Sequence, residues 1–245
     1  MALVKDSAIV LRRLDFSETS QVLAVFTREH GQQRVIARGV KRSTKSRAGI
    51  GIDLLEKGDI VFSARPGKED RLATLTEWRQ RDGYRHVRED LGRLYAAEYA
   101  ADVTTQLTET HDPHAGLFDA LDAFLQSLAD SAAEDALSTY LWRMLREIGL
   151  QPQLDACVSC GRDTTGAGAL YFSSHQGGAI CCDCESSALE KRLLSKETAQ
   201  LLALGRDTIS GRAFPLLDYH LRETMGRPSR LSALVRRTFG VRHRA

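Results

Sequence analysis

Two pairs of cysteines are the residues of this chain whose types and spacing most directly indicate chemistry. Cys157 and Cys160 form one C-x-x-C sequence, and Cys181 and Cys184 form a second. Each C-x-x-C places two thiolates at a tight turn, and two such turns that meet provide the four-sulfur tetrahedron that Zn²⁺ prefers. The spacing predicts one structural Zn²⁺ per chain, in a module at about residues 154–187.

Other uses of these cysteines fit the sequence less well. A thioredoxin-like redox site needs a single C-x-x-C at the end of a βαβ strand. Disulfides need an oxidising compartment, and the N-terminal residues do not resemble an export signal. A zinc deaminase needs an H-x-E sequence, which this chain lacks, and a catalytic zinc normally keeps one open position. We expect Cys182 to lie outside the ligand set and His175 to be an exposed loop residue.

Composition restricts the class of protein. Of 245 residues, 42% are hydrophobic and 27% are charged, values typical of a globular protein in water. No apolar run reaches the length of a transmembrane helix, so we expect a cytoplasmic protein without membrane contact. The sequence also lacks the G-x-S-x-G, P-loop, H-E-x-x-H and G-x-G-x-x-G motifs, so we expect no enzymatic activity.

Charge is distributed unevenly, although the net charge is only +2. Residues 1–80 carry 15 Lys or Arg against 10 Asp or Glu, and residues 205–245 carry 9 against 3. Residues 81–204 carry 10 against 19 and are therefore acidic. Basic ends around an acidic middle favour a polyanionic partner, whereas the alternative is a solvated surface with chance clustering.

The first 80 residues have the pattern of a small β domain. Five short runs rich in β-branched residues alternate with turn residues, which predicts a five-stranded OB-fold barrel over residues 1–80. The predicted strands are Ala8–Leu11, Val22–Phe26, Arg34–Arg38, Asp59–Phe62 and Arg71–Thr76.

A basic segment follows the third predicted strand. Its cations have no acid among them and are separated by small residues, so they can follow a phosphate backbone. Phe26 and Phe62 are expected in the core, whereas Phe16 and Trp78 are candidates for base stacking. The predicted DNA-binding residues are Arg34, Arg38, Lys41, Arg42, Lys45 and Arg47.

From about residue 84 the hydrophobic period becomes helical, which predicts an all-helical domain over residues 81–245 with the zinc module inserted. The last predicted helix has an apolar face formed by Leu231, Leu234 and Phe239 and a face rich in arginine. Such a helix can pack on the protein and still meet DNA or the acidic tail of a partner protein.

Three segments resemble the RecO family of bacterial recombination mediators. They are S-E-T-S-Q-V-L-A-V-F-T-R-E-H-G at Ser17–Gly31, A-R-G-V-K-R at Ala37–Arg42 and G-G-A-I-C-C-D-C at Gly177–Cys184. Their order, with a basic barrel first and the cysteine pairs within a helical region, extends the resemblance over essentially the whole chain.

The resemblance implies a non-catalytic DNA repair protein that binds single- and double-stranded DNA and anneals complementary strands. With RecR, such proteins help to load RecA onto DNA coated by single-strand-binding protein. They also recognise the acidic C-terminal tail of single-strand-binding protein, which here predicts a tail site at Arg222, Arg227, Arg230 and Arg236. The alternative is a transcription or translation accessory factor that combines a zinc ribbon with an OB-fold.

Overall fold

The computed structural model describes residues 2–42, 51–64, 72–164, 169–204 and 208–240. The chain divides into two compact units, residues 1–126 and residues 127–245. The first unit contains the β domain and also the helical segments that follow it, so this unit continues beyond residue 80. The domain boundaries drawn from the sequence stay a prediction.

Five strands form the sheet of the first unit, and their hydrogen-bonded neighbours close it into a barrel. The strands are β1 (Ala2–Asp15), β2 (Gln21–Thr27), β3 (Gly31–Ala37), β4 (Lys57–Ala64) and β5 (Ala73–Asp82). Around the barrel the order is β1, β2, β3, β5 and β4, and β4 pairs again with β1. All neighbours are antiparallel except β3 and β5. The predicted five-stranded β domain is confirmed.

Alternating apolar side chains fill the barrel. Because successive side chains of a strand face opposite sides, Leu23 and Val25 of β2 both point into the core. Phe62 is buried there as predicted, and Trp78 packs against the same cluster rather than standing free. The buried members are Ala8, Val10, Leu23, Val25, Val35, Ala37, Val40, Ile52, Ile60 and Phe62.

Two helices pack with the barrel in the first unit, α1 (Leu91–Leu107) and α2 (Ala115–Ser127). The rings of Phe26 and Phe118 lie 6.2 Å apart, and Arg28 donates two hydrogen bonds to Asp119 at 3.0 and 2.8 Å. At Gly31 φ is +64°, and a Cβ would lie 2.1 Å from the Asp112 carbonyl oxygen. Glycine is therefore required where the α1–α2 loop meets the β2–β3 turn.

The second unit combines four helices with a small sheet in the described residues. The helices are α3 (Ala133–Glu147), α4 (Lys196–Ala203), α5 (Phe214–Met225) and α6 (Ser232–Thr238). The strands are β6 (Leu170–Ser173), β7 (Gly178–Cys181) and β8 (Arg192–Leu194), with β6 in the centre. Ser195 caps α4 by accepting a hydrogen bond from Thr198 N at 3.1 Å.

The helices of the second unit follow the apolar periodicity of the sequence. The stripe of α3, with Leu137, Leu141 and Leu145, is fully buried. The predicted order, a β domain first and then helices that carry the cysteine module, is confirmed. None of the helices in the described part of the chain has both the length and the apolar character needed to cross a membrane.

Candidate metal centre and nucleic-acid interface

Four cysteine sulfurs come together in the second unit. The Sγ atoms of Cys157, Cys160, Cys181 and Cys184 all lie within 4.8 Å of one another. The Sγ atoms of Cys160 and Cys181 are 3.8 Å apart. A tetrahedral site with Zn–S bonds of ~2.3 Å has sulfurs ~3.8 Å apart, whereas a disulfide needs ~2.05 Å. The spacing therefore fits a tetrahedral metal site.

Two backbone turns bring the cysteine pairs together. In the first, Gly161 N donates a hydrogen bond to the Cys157 carbonyl at 2.8 Å, and Gly161 has a φ of +73°. In the second, which follows β7, Cys184 N donates to the Cys181 carbonyl at 3.1 Å. Cys181 N also donates to Cys157 Sγ at 3.4 Å, which joins one turn to the other.

The electrostatics of the cluster favour a cation. Burial raises the pKa of Cys157, but hydrogen bonds from the backbone amides of Cys181, Ser159 and Cys160 outweigh it and lower this pKa to about 6. Hydrogen bonds to the sulfurs of Cys160 and Cys181, followed by burial, raise the pKa of Cys184 to about 12. One thiolate therefore forms easily while another resists ionisation, and a divalent cation would offset the charge of all four.

The apolar core around the sulfurs is small. Ile180 and Ala188 are the buried members besides Cys157 and Cys181. Cys182 is exposed, and its Sγ lies 3.6 Å from an Asp183 carboxylate oxygen. Neither Cys182 nor the exposed His175 belongs to the four-sulfur cluster. The cluster around the sulfurs is small, so a bound ion would add to the stability of this part of the module.

Four of the predicted DNA-binding residues are described, and they lie on β3 and the segment that follows it. Arg34, Arg38 and Arg42 are exposed and form no ion pair with any residue that the structure describes. Lys41 differs, because its Nζ lies 2.9 Å from Asp15 Oδ2. The hydrogen bond from Lys41, followed by one from Gln21, lowers the pKa of Asp15. Lys45 and Arg47 lie outside the described residues.

Hydrogen bonds fix this basic turn beside the β1–β2 loop. Lys41 N donates to the Thr19 carbonyl at 3.1 Å, and Arg42 N donates to the Gly39 carbonyl at 3.1 Å. Between the two segments lies an open groove of about 480 Å³. Its lining includes Phe16, Thr19, Ser20, Ile36, Arg38 and Arg42. One of the two aromatic residues predicted to be available for stacking is thus exposed beside the cations.

The predicted tail-binding arginines have unequal surroundings. Arg236 Nε donates to Asp218 Oδ2 at 2.6 Å, and both side chains are largely buried. Arg222 pairs with Glu223 at 2.8 Å. Arg227 and Arg230 are exposed. The charge of Arg236 is already balanced inside the second unit, so Arg230 is better placed than Arg236 to meet a carboxylate from outside.

The apolar residues near these arginines are only partly exposed. Leu231, Leu234 and Phe239 are half-buried, and the ring of Phe239 lies 5.3 Å from that of Phe214. Arg242 and Arg244, the last basic residues of the sequence, lie outside the described residues.

Comparison with known proteins gives a consistent result over both units. Residues 1–84 match the family model described as Recombination protein O N terminal, and residues 88–230 match Recombination protein O C terminal. The chain belongs to the RecO family. This confirms the resemblance inferred from the sequence motifs.

Several RecO proteins are similar over most of their length. A protein of Bacillus pumilus (strain SAFR-032) is 34% identical over 203 residues, which are 82% of this chain and 76% of that protein. One of Anaeromyxobacter sp. (strain K) is 35% identical over 182 residues, 74% of this chain and 70% of its own. One of Halalkalibacterium halodurans is 32% identical over 201 residues, 82% and 76% of the two chains. Each is named DNA repair protein RecO.

Sequence reasoning about this RecO family member did not find two features of its candidate sites. The Lys41–Asp15 pair joins residues 26 positions apart, and the Arg236–Asp218 pair joins residues 18 positions apart. No local pattern distinguishes these paired cations from their exposed neighbours. The groove was also missed, although an aromatic residue before the polar segment Ser17–Ser20 was a signal for an exposed ring.

Proposed function

We propose that this RecO family DNA repair protein acts without catalysis, by binding single- and double-stranded DNA and annealing complementary strands. With RecR, it would help to load RecA onto single strands coated by single-strand-binding protein. The observation that carries the proposal is the set of exposed cations on β3 and the turn after it, Arg34, Arg38 and Arg42, of which Arg38 and Arg42 line an open groove on the barrel. Family membership supports the same reading.

The cations support contact with phosphates rather than with base edges. A guanidinium without a carboxylate partner is available for phosphate oxygens, and each phosphate contact releases counterions from the DNA. Phosphate contacts position a protein on DNA without reading its sequence, so we expect binding with weak sequence preference. Lys45 and Arg47 extend this group of cations in the sequence and remain part of the proposal.

The role proposed for the metal is structural. The four sulfurs can complete a tetrahedral shell, and this leaves no position for substrate or water. We propose Zn²⁺ as the ion, because an all-thiolate tetrahedron suits it. The cysteine module would then hold the second unit in the conformation that binds partners.

The tail of single-strand-binding protein is the partner proposed for the second unit. Carboxylates of an acidic peptide would meet the exposed Arg230 before Arg222 and Arg236, because Arg222 and Arg236 already have acidic neighbours. Arg227 is also exposed and belongs to the same proposed site. Arg222 and Arg236 would complete the site if each guanidinium can bind a peptide carboxylate while it remains paired with Glu223 or Asp218.

DNA affinity measured as a function of salt tests the proposal. Replacing Arg34, Arg38 and Arg42 together by alanine should weaken binding to all sequences and reduce the slope of log K against log salt. The expected reduction is about 2.7 for duplex and about 2.1 for single strands. Arg81→Ala is the matched control, because this exposed barrel arginine is already paired with Asp59.

An unchanged slope in the triple variant would place the DNA site elsewhere on the chain. Annealing is measured separately, by energy transfer between labelled complementary strands, and RecA loading by RecA ATPase on coated DNA with RecR added. Wild-type protein that binds DNA but fails in both assays would remove the mediator function and leave only DNA binding.

A further inference from the structure

We propose that the groove beside Phe16 holds an unstacked base of single-stranded DNA, while the arginines at its edge hold the flanking phosphates. This inference rests on the DNA binding proposed above. It goes further by assigning different residues to bases and to phosphates. It also makes the contact between Phe16 and a base specific for single strands.

The ring of Phe16 is presented by an ordered turn. Its side chain is 66% exposed, although it directly follows β1. Phe16 N and Ser17 N both donate hydrogen bonds to the Ser20 carbonyl, at 2.9 and 3.2 Å. The backbone that carries the ring is therefore fixed, and stacking a base on it would cost little ordering of the loop.

The groove next to the ring has a size and charge that suit a nucleotide. Its volume of about 480 Å³ falls within the ~300–1,000 Å³ common for small-molecule sites. Arg38 and Arg42 line it, and among the described residues no carboxylate does. Glu18 lies in the same turn but not in the lining, and Asp15 is paired with Lys41. An anionic ligand with a flat apolar part fits this combination.

The remaining polar groups of the groove cannot read a sequence strongly. They come from Ser17, Thr19 and Ser20, whose short hydroxyl side chains accept or donate single hydrogen bonds. Every base has a π-face, so stacking on Phe16 tolerates any base. In a duplex both faces of each base are already stacked, so this contact is available only to a single strand.

The test compares variants of the full chain on three DNA probes: oligo-dT, a duplex of equal length and an oligonucleotide of abasic deoxyriboses. Phe16→Ala should weaken oligo-dT binding about 5- to 140-fold, which corresponds to ~1–3 kcal/mol per stacked base at ~1.4 kcal/mol per tenfold. Binding to the duplex and to the abasic strand should change less than about twofold. Phe16→Trp should restore oligo-dT binding, and Phe16→Leu should not.

Two controls separate stacking from other effects. Leu3→Ala removes a side chain that is 64% exposed at the opposite end of β1, and it should leave all three affinities unchanged. Arg38→Ala should weaken all three probes, because each contains phosphates. A single strand carrying 2-aminopurine should change fluorescence on binding the wild-type protein and not on binding Phe16→Ala.

Each outcome separates this inference from the proposal on which it rests. If the wild-type protein binds none of the probes, the proposed DNA binding fails. If it binds them and Phe16→Ala weakens all three equally, or none, the base site at Phe16 is wrong while DNA binding stands. Full recovery of oligo-dT binding with Phe16→Leu would also overturn stacking. So would a Phe16→Ala protein that no longer binds an acidic peptide but still binds oligo-dT like the wild type.

Discussion

Replacing Cys160 by serine should remove the bound ion and destabilise the second unit, whereas replacing Cys182 should do neither. Cys160 Sγ is one of the four sulfurs that lie within 4.8 Å of one another. The Cys182 thiol is exposed and lies against Asp183 instead. Both changes exchange one sulfur for one oxygen, so the pair isolates metal binding from the effect of the substitution itself.

The expected size of the effect follows from the small core of the module. Besides two cysteines, the cluster around the sulfurs has Ile180 and Ala188 as its buried members, with Val158 and Tyr171 packed against them, so loss of the ion removes a large share of the contacts there. At free zinc 100-fold above the dissociation constant, binding stabilises the folded state by about 2.7 kcal/mol. At about 4 °C per kcal/mol for a unit of this size, the unfolding midpoint should fall by roughly 10 °C.

Metal content and stability are measured on the same preparations. Reduced protein is freed of loosely bound metal and analysed by mass spectrometry for zinc per chain, and its thermal unfolding is followed with and without a chelator. The chelator should lower the midpoint of wild-type protein to that of Cys160→Ser and leave Cys160→Ser unchanged. A Cys160→Ser protein that keeps one ion and the wild-type midpoint would refute this account, as would loss of the ion in Cys182→Ser.

Three further predictions use single substitutions. Asp15→Asn should free Lys41 for a phosphate and steepen the slope of log K against log salt for duplex binding by about 0.9, measured by titration at several salt concentrations. An unchanged slope would contradict this prediction. Burial lowers the pKa of His220 below its ordinary value of 6.5, so stability should be full above pH 6.5 and fall on acidification. His220→Gln should flatten that fall in denaturant titrations and exposed His175→Gln should not, whereas equal slopes in all three proteins would exclude His220 as the cause. Arg230→Glu should abolish binding of a short acidic peptide ending in an apolar residue, measured by fluorescence anisotropy, while DNA affinity falls less than threefold. Peptide binding that survives this charge reversal would exclude the tail site.

The geometry behind the His220 prediction lies wholly within the second unit. His220 Nε2 lies 3.1 Å from the Leu150 carbonyl oxygen, which can only accept a hydrogen bond, so Nε2 carries the proton. Nδ1 then accepts a hydrogen bond from the Ser174 hydroxyl at 2.7 Å. A second proton on the ring would make Nδ1 the donor and the Ser174 hydroxyl the acceptor, so this hydrogen bond can persist with its direction reversed. The cost in acid is therefore the burial of a charged imidazolium ring.

The local elements of this protein could be predicted because each depends on neighbouring residues. The spacing of Cys157 and Cys160, repeated at Cys181 and Cys184, is itself a turn geometry, and the four sulfurs meet as the spacing indicates. The stripe on α3 repeats at the helical period, so the helix and its buried face follow from the same residues. Strand positions were found in the same way, but their bounds were not: β1, β2 and β4 extend beyond both ends of the predicted runs, whereas β3 ends before Arg38 and β5 begins only at Ala73.

Contacts between residues far apart in the chain were decided only by the tertiary structure. Pairing of β3 with β5 closes the barrel, and no local pattern distinguishes this order from others. The sequence shows Lys41 and Arg42 as equivalent neighbouring cations, yet only Lys41 meets Asp15, so Arg42 keeps its charge available. The groove at Phe16 likewise exists because the turn after β3 is hydrogen-bonded to the loop before β2. Charge and periodicity are properties of the sequence, but pairing depends on distance in space, which only the folded chain sets.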